Sequence, residues 1–499
     1  MSFESTIDFI YNMVWGEGIF SYFPILIVLI LGAGFYFSII TRFLQVRHLK
    51  EMVRLLFKGK SSEKGVSSFQ AFVIAISGRV GTGNIAGVAT AIALGGPGAI
   101  FWMWIIAFLG SATAFIEATL GQIYKVVKDG EYRGGPSYYI EKGLNIKWYA
   151  VVFSIATIIS MAFFLPGVQA NSISKSMETA FNISDYELSF LFDLTLNINI
   201  VGVLLAIALA LIIFGGVKRI GHVAQIVVPF MAIAYILMSL VIIALKIDQV
   251  PEVLSLIVKS AFGAEPAFGG IIGMAILLGV KRGIYSNEAG QGTAPHPAAA
   301  AEVSHPVKQG LVQAFSVYID TLFICTATAL MILFTGSYNV IDPDGVYLVE
   351  SLAGVNYGPE YTQHAVESVF PGIGKGFVAI SLLFFAFTTL MAYYYMAETN
   401  VSYLSTQRNH KWLINLLRIM TLITVYYATT ITAGAVWTLG DIGVGIMAFL
   451  NIIAILFLQK PALKALKDYM QQKKEGKDPV FDPTKLGIKN ADFWEKKIE

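Results

Sequence analysis

The chain is short of charge. Of its 499 residues only 14% are Asp, Glu, Lys or Arg, against about 25% in a soluble domain. The formal net charge is +2, so no nucleic-acid-binding surface is implied. It is also short of cysteine. The single thiol, Cys325, lies in an apolar run and excludes a disulfide framework. The six histidines form no metal-ligand set, and His296 and His305 merely flank an alanine-rich stretch. No nucleophile–base pair or paired carboxylates stand out, so the sequence does not support an enzyme. What is abundant is apolar surface: 56% hydrophobic residues and a mean hydropathy of +0.66. That composition predicts an all-α polytopic membrane protein, with room for about ten to twelve spans of about 20 residues each.

Eleven apolar segments run over 20–40, 69–92, 98–124, 148–174, 197–214, 222–246, 267–290, 308–335, 370–398, 412–430 and 434–459. The first, from Tyr22 to Ile40, follows an acidic start and lacks a small-residue cleavage site. It reads as a retained span rather than a signal peptide. Charge alternates between the connecting loops. The start carries Glu4, Asp8 and Glu17, with no Lys or Arg. The next loop carries Arg42, Arg47, Lys50, Arg54, Lys58, Lys60 and Lys64. Basic residues recur at 125–147, at Lys218 and Arg219, at Arg408 and Lys411, and in the tail from Lys460 to Lys497. The 335–370 loop is acidic through Asp342, Asp344, Glu350, Glu360 and Glu367. The positive-inside rule places the N-terminus outside and the C-terminus in the cytoplasm. That requires an odd number of spans, and eleven satisfies it.

Two segments are interrupted. The first reads SGRVGTGNIAGVATAIALGGPG, from Ser77 to Gly98. Gly81, Gly83 and Ala86 match a dinucleotide fingerprint. The flanking runs suit lipid, however, and no acidic residue follows about 20 positions on, as a nucleotide loop requires. Gly83 and Gly87 at spacing four fit close helix packing. Packing alone leaves Arg79, Thr82 and Asn84 unexplained, because polar groups in hydrocarbon need partners or water. A broken helix accounts for them. Unwinding frees N–H groups that attract a carboxylate and C=O groups that coordinate a cation. The second interruption, GVKRGIYSNEAGQGTAPHP from Gly279 to Pro297, supplies a matching break; a loop following a short span is the alternative. Paired breaks imply two inverted five-helix repeats, spans 2–6 and 7–11, with the first span outside them. The chain then divides into an N-terminal extra span and basic loop (1–65), a first repeat (66–247), a second repeat (248–460) and a lysine-rich tail (461–499).

The motifs GTGNIAGVATAI, GGPGAIFWMW, RGGPSYYI, GVQAN, SNEAGQGTAPHPAAAA, HPVKQG, IDTLFICT and VFDP occur in order between Phe69 and Pro483. Through them the chain resembles the alanine or glycine:cation symporter family. The resemblance implies a LeuT-type fold, with a midplane site taking alanine or glycine together with Na⁺, and no organic cofactor. It assigns the substrate carboxylate to Gly81, Thr82 and Gly83, with Asn84 nearby, and a substrate contact to Gln169. Phe163, Phe164 and Tyr393 are candidates for the pocket wall. The Na⁺ site would use carbonyls of Ser77, Val80 and Phe385 and hydroxyls of Thr388 and Thr389. A bacterial inner membrane and a monomer are expected.

Charges inside the spans should face the bundle and pair. They include Arg79, Glu117, Lys281, Arg282, Glu288, Asp320 and Glu398. Arg79 either pairs with Glu117 or Glu288 as part of a gate, or its fixed charge replaces a second cation. A proton-coupled transporter, with Glu117, Glu288 or Asp320 as carrier, and a channel or receptor on the same scaffold are the competing expectations.

Overall fold

The computed structural model describes residues 3–16, 24–58, 61–183, 186–189, 195–405 and 410–498. Glu17, Tyr22, Lys60 and Arg408, used above, lie outside the described residues. Helices dominate, joined by three short antiparallel hairpins. An amphipathic helix α1 (Phe3–Trp15) precedes α2 (Ile25–Ile40), a short surface helix α3 (Leu49–Leu56) and α4 (Ser68–Arg79). Then come α5 (Val88–Gly95), α6 (Gly98–Ile123), α7 (Lys147–Phe181), α8 (Ile200–Ile213), α9 (Gly216–Leu245) and α10 (Val250–Ala261). The second half contains α11 (Ile272–Asn287), α12 (Pro295–Ala300), α13 (Pro306–Thr335), α14 (Pro359–Val369), α15 (Gly374–Leu404), α16 (His410–Ala428), α17 (Ala433–Lys474) and α18 (Asp492–Ile498).

Among the described residues, six helices are long and apolar enough to cross a membrane: α6, α7, α9, α13, α15 and α17. The first interrupted segment forms a further candidate. Its halves, Ser68–Arg79 and Gly83–Gly95, meet at an angle of 51°. The apolar surface is divided as a bilayer requires. On α8 and α9, Leu204, Leu211, Ile226, Phe230 and Ile233 face outward, exposed, where lipid would cover them. The inner helices α4, α6, α11, α13 and α15 bury one another.

Local sequence sets the ends of the interrupted helices. Ser67 Oγ accepts from the Gln70 N–H at 3.1 Å, and Gln70 Oε1 accepts from the Ser67 N–H at 3.0 Å. This capping box starts α4 at its polar end. Helix α11 stops at Asn287 because Glu288 adopts a left-handed φ of 56°. Gly290 and Gly292 follow at φ 87° and 82°, a conformation natural to glycine. This segment is buried throughout 279–301. It is therefore an interior break and not the surface loop that was the alternative reading.

The end of the molecule that carries the basic loops is more ordered than its composition predicts. Helix α17 continues past the apolar segment to Lys474, and the tail folds back over the bundle. Trp494 Nε1 donates to Gln122 O at 2.9 Å, the Phe481 N–H donates to Ser304 O at 3.0 Å, and Lys308 pairs with Asp478 at 2.7 Å. The Lys125 ammonium sits over the rings of Tyr132, Phe493 and Trp494 at 4.4, 4.5 and 5.2 Å, a cation–π cage. Helix α3 joins this layer through Glu51, which accepts from Tyr469 Oη at 2.6 Å. Burial opposes the Glu51 charge. Hydrogen bonds from Tyr469 and Arg54, with the field of Lys473, outweigh it and hold the carboxyl below its usual range. At the opposite, acidic end a hairpin (β1, Asn339–Ile341; β2, Tyr347–Glu350) and α14 cover the bundle. There Gln363 Nε2 donates to Ser176 O at 3.0 Å.

Candidate functional site

Helix α4 ends where its hydrogen-bond ladder is diverted. The last ladder bond runs from the Val80 N–H to Ile76 O at 2.7 Å. The next two N–H groups do not return to the helix. The Gly81 N–H donates to Asn84 Oδ1 at 2.8 Å, and the Thr82 N–H donates to Gln169 Oε1 at 2.9 Å. The carbonyls of Ser77 and Gly78 therefore lose the donors that a continuous helix would supply. Glycine at 81 is required by close approach. A Cβ there would lie 2.5 Å from Thr389 Oγ1 and 2.7 Å from Gln169 Oε1. After the break the chain resumes as a wide π-turn over Gly83–Gly87, a feature that recurs at functional sites.

The two adjacent threonines of α15 do different things. Thr389 Oγ1 reaches Val80 O at 3.2 Å and Phe385 O at 2.9 Å, so one hydroxyl bridges α15 and the broken helix. Thr388 Oγ1 bonds to its own turn, to Phe384 O and Phe385 O at 3.0 Å each, and makes a weak contact with Met231 Sδ at 3.9 Å, but does not reach the break. Ser77 Oγ likewise bonds back to Ile74 O at 2.8 Å. The oxygens that meet at the break are those of Val80, Phe385 and Thr389, a hard-donor set that suits Na⁺.

The two breaks pack against each other. A Cβ at Gly83 would meet Ser286 Cα at 3.1 Å and Tyr285 Cδ1 at 3.2 Å. Between them sits Asp320, on a second π-turn in α13. Its carboxylate accepts from Asn84 Nδ2 at 2.7 Å, Ser286 Oγ at 3.1 Å and Thr321 Oγ1 at 2.7 Å. Asn84 thus links Asp320 to the Gly81 N–H. Three donors on one buried carboxylate are what an ionised group needs in a dry interior.

Glu117 anchors the second break. Its Oε1 accepts from the Gly290 N–H at 3.3 Å; its Oε2 accepts from the Gly292 N–H at 3.1 Å and from Asn451 Nδ2 at 2.7 Å. Asn451 Nδ2 also donates to Gly290 O at 2.9 Å. Arg79 forms neither expected ion pair: among the described residues, no carboxylate of an ion pair lies within 4.0 Å of it. Its Nη1 donates to Ser316 Oγ and to Gln313 O, while Nε and Nη2 have no partner. The fields of Glu288, Glu117 and Asp320 all bear on its charge. Glu288 is buried beside Tyr393, with Oε1 unpartnered. Thr82 Oγ1 and Tyr285 Oη are also buried without partners. Native interiors satisfy nearly all such atoms, so this cluster of orphans around the breaks marks where a polar ligand or water fits.

Phe163 and Phe164 lie on a π-turn of α7. Phe163 lines an outward-opening apolar groove with Leu404, Leu413 and Met420.

A second charged cluster forms around Lys281 and Arg282. Asp441 on α17 pairs with both Lys281 and Arg282 of α11 at 2.7 Å. The Arg282 guanidinium lies over Trp437 at 4.7 Å, and Trp437 packs on Tyr285 with centroids 5.0 Å apart. Helix α1 closes over it: Trp15 Nε1 donates to Asp441 O at 2.7 Å, and the Lys281 ammonium contacts Tyr11. Lys281 and Arg282 are among the charges that the sequence requires to pair; their partner Asp441, one acid within the last apolar segment, is the member that sequence reasoning did not name.

Paired broken helices enclosing unsatisfied polar groups inside an apolar bundle define a secondary transporter. The fold agrees: a manganese transporter of Eremococcus coleocola, in a mutant form, superposes with a TM-score of 0.50 at 13% identity, over 85% of this chain and 83% of that one. Residues 2–483 match the sodium:alanine symporter family, and the chain belongs to that family. It is 65% identical to the putative sodium/proton-dependent alanine carrier protein YrbD of Bacillus subtilis, over 94% of each chain. It is 53% identical to the sodium/proton-dependent alanine carrier protein of Bacillus sp. strain PS3, over 89% of this chain and 97% of that one. The protein is a multi-pass cell-membrane cation symporter and not an enzyme.

Proposed function

We propose that the protein takes up alanine, and glycine as an alternative small substrate, together with Na⁺ by alternating access. The observation that carries this reading is the diverted ladder at Gly81 and Thr82, with Thr389 bridging to Val80. Eleven spans form two inverted repeats, spans 2–6 and 7–11, with the N-terminus outside and the C-terminus in the cytoplasm. The substrate carboxylate binds the N–H groups of Thr82 and Gly83, exchanging with Gln169 Oε1. The freed Gln169 oxygen accepts from the substrate ammonium. Tyr393 and Tyr285 close the pocket around a methyl-sized side chain. Na⁺ takes the carbonyls of Ser77, Val80 and Phe385 and the Thr389 hydroxyl, while the Thr388 hydroxyl stays bonded to its own turn.

The outer gate is the Asp441–Lys281–Arg282 cluster under α1. With the site filled, the charges of ion and substrate partly cancel, and closure on one side with opening on the other is favoured. One charge moving through 100 mV contributes about 2.3 kcal/mol, roughly a 50-fold accumulation. A second reading, coupling to protons as well, is favoured by the Asp320 carboxylate, which shares Asn84 with the break.

Equilibrium binding of radiolabelled alanine to the purified protein tests the site. Binding should require Na⁺ and be lost in Gln169→Leu. Equal binding in choline chloride would refute the sodium assignment.

A further inference from the structure

We propose that the basic end of the molecule carries a binding site for the headgroup of an anionic phospholipid. A cavity of about 280 Å³ opens between the loop before α7, the stretch of α17 around Lys460–Lys464 and the returning tail. Lys142, Lys460, Lys464 and Lys489 line it, and among the described residues no carboxylate does. Lys142 Nζ is paired to Asp492 outside the cavity, and Lys464 Nζ donates to Leu486 O at 2.9 Å, which fixes the tail as the third wall. Asp492 offsets the charge of Lys142, which leaves the ammonium groups of Lys460, Lys464 and Lys489 around one concavity, where like charges repel one another. An anion of one or two charges relieves that repulsion.

The surroundings select a lipid over a free ion. Trp148, at the start of α7, is 70% exposed, and Phe457, three residues before Lys460, is 72% exposed. Helices α7 and α17 pack side by side. Their outward faces continue from the cavity as apolar surface, with Val152 and Ile155 also exposed. An exposed tryptophan at the end of a span marks the membrane interface, so the lysines lie at headgroup depth. Basic pockets between spans on the cytoplasmic side have the chemistry that holds anionic headgroups. Acyl chains would run along Phe457 and Val152.

Native mass spectrometry of the full-length protein in detergent, with phosphatidylglycerol as the probe, tests the site. One phosphatidylglycerol should bind in preference to phosphatidylcholine. Each lysine near an anionic headgroup contributes about fivefold in affinity. The triple variant Lys460→Ala, Lys464→Ala, Lys489→Ala should therefore lose about a hundredfold, and arginine at the same three positions should restore binding. Single Lys460→Gln, with an expected loss of about fivefold, serves if the triple variant does not fold. Retention of the lipid by a folded triple variant overturns the proposal. So does equal competition by phosphatidylcholine. Displacement by millimolar inorganic phosphate also overturns it, because the site would then be one for free anions.

Discussion

Thr389→Val is the sharpest perturbation of the cation site. The substitution keeps the volume of the side chain and deletes one hydroxyl. That hydroxyl is the bridge from Phe385 O, at 2.9 Å, to Val80 O, at 3.2 Å. Two losses follow. Val80 O, already outside the helical ladder, loses its donor in the ion-free protein. The bound cation loses one of about five or six oxygens. A hydrogen-bonding partner of a charged group contributes about 1.5–3 kcal/mol, or roughly 10- to 150-fold in apparent affinity. The half-saturating Na⁺ concentration for alanine uptake into proteoliposomes should rise by that factor, with protein yield unchanged. Thr389→Ser keeps the hydroxyl and should stay close to wild type. Thr388→Val is the internal control, because its hydroxyl bonds to its own turn and to Met231 and not to the broken helix. Its Na⁺ dependence should shift by severalfold at most. If Thr388→Val shifts more than Thr389→Val, or if neither shifts, the cation does not sit at this bridge.

Glu117→Gln leaves one carbonyl oxygen for two backbone N–H groups and Asn451. A buried donor left unpaired costs about 1–3 kcal/mol, so the thermal denaturation midpoint should fall and alanine binding weaken; an unchanged midpoint would mean that Glu117 does not hold the second break. Asp441→Asn strips the counter-charge from Lys281 and Arg282, and breaking a buried pair costs about 3–5 kcal/mol. A cysteine replacing Trp437 should then label faster with an impermeant maleimide from outside, and equal rates with and without Asp441→Asn would remove the outer gate. Glu51 is held below its usual carboxyl range in the folded state, so its contribution is complete above about pH 5 and is lost as pH falls below about 4. Hydrogen exchange in α3, corrected for its intrinsic pH dependence, should accelerate across that window, and Glu51→Gln should abolish the change.

The breaks were legible in the sequence because glycine clusters inside apolar runs have few other physical meanings. The same logic reached Thr82 and Asn84, and the family resemblance added Gln169. That logic could not assign their bonds. Thr82 and Gln169 are 87 positions apart, and nothing local shows that the Gln169 oxygen turns to a backbone N–H. Nor could it separate Thr388 from Thr389. One residue rotates the side chain by about 100° around a helix, and only the packing of α15 on α4 decides which hydroxyl faces the break. Glu117 looked like a candidate gate because charge inside a span demands a partner, yet its partners are the N–H groups of two glycines, which carry no sequence signal. The lysine-rich tail has no apolar run that would announce its docking. A few aromatics, Phe481, Phe493 and Trp494, dock it by packing on His305 and Lys125.

The central claim, Na⁺-driven uptake of alanine, is tested most directly in proteoliposomes with the two gradients imposed separately. An inward Na⁺ gradient at equal pH should drive concentrative alanine uptake, and an inside-negative potential should increase it. Uptake driven by a pH gradient alone, with no response to Na⁺, would contradict the account.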